Sequence, residues 1–281
     1  MTHTAVAQPT VRDVVGALDA RFPRAWAEQW DRVGPVLGDP DAPVRTILLV
    51  VDCVAATVEE AVAAGADLIV ANHPLLLRGV SSLWPETSKG RLVHRLINAG
   101  VAVYTAHTNA DVASPGVADA LAARLDLVGL RPLVPAAPDS PAAGGGRGAG
   151  RIGELATPMS LAELTTFVAR RLPATTGGVR AAGDPGRVIR TLAVQGGAGD
   201  SFLGAAAAAG VDAYLCADLR HHPVSENLAG GGPALLDVAH WATERPWLDE
   251  LAGWLRAQFP VTALVSDLDT DPWTVHAVSG K

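Results

Sequence analysis

The chain has 281 residues, of which 49% are hydrophobic and 18% are charged, and its formal net charge is -7. That length and composition indicate a globular protein with one large domain or two modest ones. The acidic balance and the scattered basic residues argue against nucleic acid as a partner, because little would drive counterion release from a phosphate backbone.

No apolar run approaches the roughly 20 residues that a membrane-spanning helix needs. The first residues, MTHTAVAQPTVRDVV, lack the basic flank and the apolar core of a signal peptide. The sequence therefore predicts a cytoplasmic protein that does not associate with membranes. The two cysteines, Cys53 and Cys216, supply neither a disulfide framework nor a zinc-ribbon spacing, so we expect both to be small core residues in a reducing compartment.

Hydrophobic residues recur at helical spacing from Val11 to Trp30 and predict that a helix opens the chain. The segment WDRVGPVLGDP is typical of a loop or an edge hairpin, because Gly and Pro interrupt it. Strands and helices then alternate, with strands expected at 45–51, 66–72 and 101–108 and helices at about 57–64, 91–98 and 116–125.

A Pro- and Gly-rich segment at 133–150 has too few bulky apolar residues to favour an ordered core, and it predicts a flexible linker. It would divide the chain into an N-terminal half, 1–132, and a C-terminal half, 151–281.

The second half repeats the alternation of strands and helices. Strands are expected near Ile152 and at 189–195, 211–217, 233–239 and 261–267. Helices are expected at 161–171, 201–209 and 247–259, with a helical region after His221. This pattern predicts an α/β fold of two halves, in which mostly parallel strands are flanked by helices.

Polar residues follow the apolar strands at the points where these strands end. In parallel α/β sheets, ligands gather at the carboxyl ends of the strands, so we expect the functional site there. The residues at these positions are Asp52, Asn72, His73, His107, Asp111, Asp218, His221, His222, His240 and Glu244.

His240 and Glu244 would share one face if a helix begins at this point, although Pro246 should limit that helix to a short turn. A capping or solvated pair is the alternative interpretation of this segment. His73 could equally be a structural histidine, and Asp111 a turn residue. Taken together, however, imidazole and carboxylate groups are the ligands of catalytic Zn, Mn, Fe or Ni, and carboxylates such as Asp111 can bridge two ions. The sequence thus predicts one or two divalent metal ions per chain.

The glycine-rich loop at 195–200 lies between a predicted strand and a predicted helix. Its amides could hold an anion, but it matches neither a dinucleotide fingerprint nor a P-loop. A tight strand-to-helix turn that forms a wall of the substrate site is the simpler interpretation.

Several segments in a fixed order resemble the GTP cyclohydrolase 1 type 2 homologue family, and the likeness covers nearly the whole chain. The matching segments are WDRVGPVLGDP, DLIVANHPLLLRG, YTAHTNADVASPGVADALA, GRIGEL, LAVQGGAGD, DAYLCADLRHH, LLDVAHWATE and SDLDTDPW.

The resemblance implies a two-metal protein whose site lies where the two halves meet, and a ring-shaped homo-oligomer, commonly a hexamer. The metal ligands it implies in this chain are Asn72, His73, Asp111, His240 and Glu244. The family has two histidines before the proline, whereas this chain has Asn72 in the first place. An amide oxygen is a weaker donor than imidazole toward first-row metals, so we expect one of two sites to lose affinity. Some larger members have an inserted domain in the middle, which we expect to be missing here.

The resemblance also implies a metal-activated water and a small-molecule substrate such as a nucleotide. His107, His221 and His222 are candidates for proton transfer, or they support the ligands by hydrogen bonding. Three hypotheses for the function follow: a GTP cyclohydrolase, another metal-dependent hydrolase of a nucleotide or phosphoester, and a non-enzymatic metal-binding or interaction protein.

Overall fold

A computed structural model describes residues 8–277. Residues 1–7, which include the start of the segment without a signal-peptide pattern, lie outside the described residues. In the described part of the chain, no helix has both the length and the apolarity that crossing a lipid bilayer requires. The described residues form two compact units, the first comprising residues 8–110 together with Leu248–Thr270, and the second comprising Asp111–Trp247 and residues 271–277.

The first unit is built on a five-stranded sheet in the order β1-β4-β3-β2-β11. Its strands are β1 (Gly34–Leu37), β2 (Thr46–Val50), β3 (Leu68–Ala71), β4 (Ala102–Thr105) and β11 (Thr262–Val265). Its helices are α1 (Val11–Arg21), α2 (Ala55–Ala63), α3 (Ser88–Ala99), the start of α4 (Thr108–Val112) and the later part of α9 (His240–Gln258). β4, β3, β2 and β11 are parallel, and only β1 runs antiparallel to its neighbour.

Local sequence sets the ends of the helices in the first unit. A capping box formed by Thr10 and Asp13 starts α1. The helix ends at Arg21, earlier than the hydrophobic spacing suggests, because the residue before Pro23 is disfavoured in helical conformation. α3 ends at Gly100, whose left-handed backbone (φ 70°) closes the helix as the sequence predicts.

The second unit is built on a six-stranded sheet in the order β5-β6-β8-β9-β10-β7. Its strands are β5 (Leu127–Pro135), β6 (Gly148–Ser160), β7 (Val179–Ala182), β8 (Val188–Ala198), β9 (Ala213–Ala217) and β10 (Ala234–Val238). Its helices are α5 (Val117–Arg124), α6 (Leu161–Arg171), α7 (Leu203–Ala208), α8 (His221–Ala229) and the start of α9. The central strands β8, β9 and β10 are parallel, whereas β5, β6 and β7 join antiparallel at the two edges.

Two segments differ from the division expected from sequence. The 133–150 segment contains the end of β5, the hairpin connection at 136–147 and the start of β6, since β5 pairs with β6 up to Pro135 and Gly148. Pro and Gly are as typical of such a connection as of a linker, so composition does not distinguish the two. β11 pairs with β2 in the first unit instead of joining the second sheet. An apolar pattern predicts that a segment forms a strand, but it does not predict which sheet that strand joins.

Each unit has its own buried core. In the first, side chains of β2, β3 and β4 pack with α2 and α3, and in the second, residues of the β5–β6 hairpin pack with α7, β8 and β9. Cys53 and Cys216 are buried in these cores, as the sequence predicts. The predicted α/β class, with two sheets of mostly parallel strands flanked by helices, is confirmed, although the second sheet has antiparallel edges.

Candidate metal centre

His73 is held by a carboxylate at the end of the neighbouring strand. β2 and β3 are parallel neighbours, so the residues that follow them emerge at the same edge of the sheet. His73 Nδ1 lies 2.7 Å from Asp52 Oδ1, and Asp52 also accepts a hydrogen bond from the Thr270 hydroxyl. An ionised carboxylate keeps the proton on Nδ1, so Nε2 presents a lone pair suited to a cation.

Asn72, directly before His73, has a buried side chain with an exposed fraction of only 1%. Its amide nitrogen donates a long hydrogen bond of 3.4 Å to the Ala106 carbonyl. Its Oδ1 atom has no hydrogen-bond partner among the described residues. A buried amide oxygen without a donor costs free energy, and a cation is one way to satisfy it. Asn72 therefore offers a neutral oxygen donor.

His107 is held in the same way as His73, by Asp31 from the loop before β1. His107 Nδ1 lies 2.9 Å from Asp31 Oδ1, and Thr108 donates to Asp31 Oδ2 through its hydroxyl and its backbone N–H. The His107 ring meets the His73 ring edge to face, with 5.4 Å between their centroids. Burial raises the pKa of Asp31, but the hydrogen bonds from His107 and Thr108 outweigh burial and lower it to about 2. Asp31 is therefore ionised at neutral pH and fixes the Nδ1 proton of His107.

His240 and Glu244 lie one turn apart at the start of α9. His240 Nδ1 is 2.7 Å from Asp218 Oδ2, and His240 Nε2 is 3.1 Å from Glu244 Oε1. Asp218 follows β9 and His240 follows β10, so the parallel pairing of these strands explains the contact. Glu244 is almost fully buried, with an exposed fraction of 3%. The predicted pairing of ligand-type side chains on one helical face is thus present.

The short helical turn expected at His240 is instead the beginning of a long helix, because α9 continues through Pro246 to Gln258. Proline inside a helix removes one backbone hydrogen bond and costs about 3 kcal/mol. Burial of Leu248, Leu251 and Leu255 along the same helix offsets that cost. The proline therefore does not end the helix.

Gly197 lies against the two ligand-type atoms of α9. Its φ is +70°, and a Cβ atom at this position would lie 2.5 Å from Glu244 Oε1 and 2.8 Å from His240 Nε2. Its N–H donates to Thr243 Oγ1 at 2.8 Å, and the Thr243 hydroxyl donates to the His240 carbonyl. This amide is used by Thr243 and does not form part of an anion cradle. At Gly197 the loop therefore lies directly against His240 Nε2 and Glu244 Oε1, where only a residue without a side chain fits.

The remaining candidates, Asp111, His221 and His222, differ in their position in the fold and in their exposure to solvent. His240 and Glu244 of the second unit are ligand-type groups within reach of one ion, and Asp111 is a half-buried residue of α4. His221 and His222 are exposed residues in the first turn of α8, with their rings edge to face and 5.1 Å between centroids. Sequence reasoning missed the supporting role of Asp31, and it noted Asp52 and Asp218 only as strand-end residues.

The chain is similar to proteins of one family. A model of the family described as Duf34/NIF3 (NGG1p interacting factor 3) matches residues 9–272. A Streptomyces coelicolor protein named GTP cyclohydrolase 1 type 2 homolog is 52% identical over 278 residues, which cover 96% of each chain. A Mycobacterium bovis protein of the same name is 36% identical over 375 residues, which cover 96% of this chain and 98% of that protein. This longer relative contains residues without a counterpart here.

The fold is similar to that of a solved structure, a Bacillus cereus protein related to NIF3. The two have a TM-score of 0.89 and 21% sequence identity, and the match covers 96% of this chain and 100% of the other. At that identity the likeness establishes the fold alone.

Replacing Asp31 with asparagine should lower stability in a pH-dependent way. The folded-state pKa of about 2 lies below the ordinary 3.8, so the stabilisation is fully present above pH 4 and is lost as pH falls towards 2. The shift corresponds to about 2 kcal/mol at pH 7. Urea denaturation of the wild type and Asp31→Asn between pH 7 and pH 3 should give a difference in unfolding free energy that shrinks below pH 4. A difference that is the same at every pH would contradict this account of Asp31.

Proposed function

Since the chain belongs to the Duf34/NIF3 family, we propose that it binds a divalent metal ion and uses it in a hydrolytic reaction. The observation that supports this best is the pair on α9, where Asp218 holds Nδ1 of His240 while Nε2 lies beside the buried Glu244 carboxylate. The proposed ligands are His73, Asp111, His240 and Glu244, with Asn72 as a weak oxygen donor.

The chemistry of the donors supports a first-row divalent ion. His73 and His240 each have a carboxylate at Nδ1, the arrangement that orients histidine ligands in metal proteins and raises their basicity. Burial raises the pKa of the Cys53 thiol to about 11 and that of Cys216 to about 12, so neither cysteine supplies a thiolate at neutral pH. Imidazole and carboxylate without thiolate match catalytic Zn, Mn, Fe or Ni rather than a structural zinc site.

A divalent ion held by these residues would supply Lewis acidity and lower the pKa of a coordinated water. The protein's own part is to position protons. Asp31 fixes the Nδ1 proton of His107, so that proton exchange at this ring occurs at Nε2. His221 and His222 remain candidates for proton transfer to a more distant part of a substrate.

The names of the relatives make GTP the first substrate to test, with formate as the product of ring opening. A second hypothesis is hydrolysis of another nucleotide or phosphoester. A third, a non-enzymatic metal-binding or interaction protein, is favoured by Asn72, because a weaker ligand would reduce metal occupancy. Self-association into a ring-shaped hexamer is part of the proposal and can be tested by light scattering on the purified protein.

Metal content and activity together test the proposal. Wild-type protein incubated with Zn or Mn should retain metal after gel filtration, whereas His240→Ala should lose most of it, because one imidazole donor is removed. The control His94→Ala removes an exposed histidine of α3 and should retain wild-type content. Metal-loaded protein is then assayed with GTP for formate and with phosphodiesters for alcohol or phosphate release. Equal metal content in wild type and His240→Ala would contradict the proposed site. If His240→Ala loses metal but the metal-loaded wild type acts on neither substrate, the third hypothesis is favoured.

The space beside Gly197 should be required for metal binding. In Gly197→Ala the new methyl group would meet Glu244 Oε1 and His240 Nε2, so the affinity for Zn measured by calorimetry should fall at least about tenfold. Gly210→Ala is the matched control, because Gly210 has a similar φ of +67° and nothing within 4 Å of an added Cβ. Both variants share the strain of a positive φ, roughly 1 kcal/mol in stability. An equal effect of the two variants on affinity would show that the gap beside Gly197 has no role.

Restoring the family's histidine should strengthen a second ion site. Asn72→His replaces a neutral oxygen donor with imidazole, so we expect more metal per chain at a given free metal concentration. The measurement is metal bound per chain by mass spectrometry across a titration of free Zn or Mn. Two tightly held ions in the wild type, with the same affinities as in Asn72→His, would contradict the weak-donor role of Asn72.

A further inference from the structure

An open cavity of about 420 Å³ lies in the second unit, beside α8 and the edge of the sheet formed by β10 and β7. That volume is within the range of small-molecule sites in proteins. The apolar side chains that line it are Ala181, Ala182, Leu219, Val224, Leu228 and Leu235. None of the proposed metal ligands lines it, so it is a different site from the metal centre.

The polar groups that line the cavity are mostly donors. They include Arg180, Arg220 and His221, together with the single carboxylate of Asp237. That carboxylate is already used, because Asp237 Oδ1 accepts from the Leu219 N–H and Oδ2 accepts from Arg180. It therefore has little capacity left to accept hydrogen bonds from a ligand.

The two arginines retain capacity for a ligand. Arg180 is paired with Asp237 and Arg220 with Asp200, but each guanidinium has five N–H donors and each bonds to a single carboxylate oxygen. Both side chains are 75% exposed and can turn towards a bound group. Arginine is suited to carboxylate, phosphate and sulfonate groups because its planar fork can donate two parallel hydrogen bonds.

From this combination we infer that the cavity binds an organic anion with an apolar or aromatic body, which packs on Leu219, Leu228 and Leu235 while its anionic group meets Arg180 and Arg220. The inference does not rest on the proposed metal-dependent activity, since none of the proposed metal ligands lines this cavity. A neutral molecule of the same shape would gain the apolar contacts alone and should bind more weakly.

The test uses the full-length chain and two fluorescent probes of similar shape, anionic 8-anilinonaphthalene-1-sulfonate and neutral N-phenyl-1-naphthylamine. We expect saturable binding of the anionic probe with one site per chain. Arg180→Gln and Arg220→Gln should each weaken it about three- to tenfold and leave the neutral probe nearly unchanged. Arg190→Gln, a matched loss of an exposed arginine in the same unit that does not line the cavity, should change neither.

A second variant tests the apolar part of the cavity. Ala182→Phe should fill the space and weaken both probes, and thermal unfolding establishes that this variant is folded. The arginine variants change only exposed side chains, so their results can be interpreted even if Ala182→Phe does not fold. Equal weakening by Arg190→Gln, equal sensitivity of the neutral probe, or unchanged binding in folded Ala182→Phe would each overturn the inference.

Discussion

Three hydrogen bonds between a carboxylate and a histidine Nδ1 orient the candidate ligands within each unit: Asp52 with His73 and Asp31 with His107 in the first, and Asp218 with His240 in the second. Each fixes the tautomer and the direction of one imidazole, so that Nε2 is the nitrogen left for chemistry. Without the carboxylates the rings could rotate and exchange tautomers. The parallel strands matter to function because they bring these partners to adjacent strand ends, β2 beside β3 and β9 beside β10.

Hydrophobic periodicity is sufficient to predict the α/β class and most strands, and the position of histidines after apolar strands singles out His73, His107 and His240 as candidate site residues. The carboxylate partners were harder to identify, because Asp31 and His107 are distant in sequence and belong to a loop and a strand end that no short-range pattern connects. The role of Gly197 required coordinates, since its positive φ and its contact with α9 are tertiary features. The helix end predicted at Pro246 is wrong, because the burial of the leucines that follow outweighs the local effect of the proline.

The first turn of α9 both presents two ligand-type side chains and contacts the glycine-rich loop. His240 and Glu244 present their side chains on one face, while Thr243 between them connects the turn to Gly197 through its hydroxyl. The loop and the helix therefore fit together through two contacts. Gly197 has no side chain to collide with His240 and Glu244, and the Thr243 hydroxyl accepts a hydrogen bond from the Gly197 N–H. This explains why a loop that resembles an anion cradle in sequence has its Gly197 amide directed at the protein itself.

The pairing of β11 with β2 has a consequence for folding during synthesis. β2 is synthesised early, but Thr262, which lies opposite Thr46, is synthesised more than 200 residues later. All strands of the second sheet are translated before β11, so that sheet can close while the first still has β2 as an open edge. An unpaired apolar edge is a template for aggregation, and the nascent chain is exposed to that risk until β11 has been synthesised.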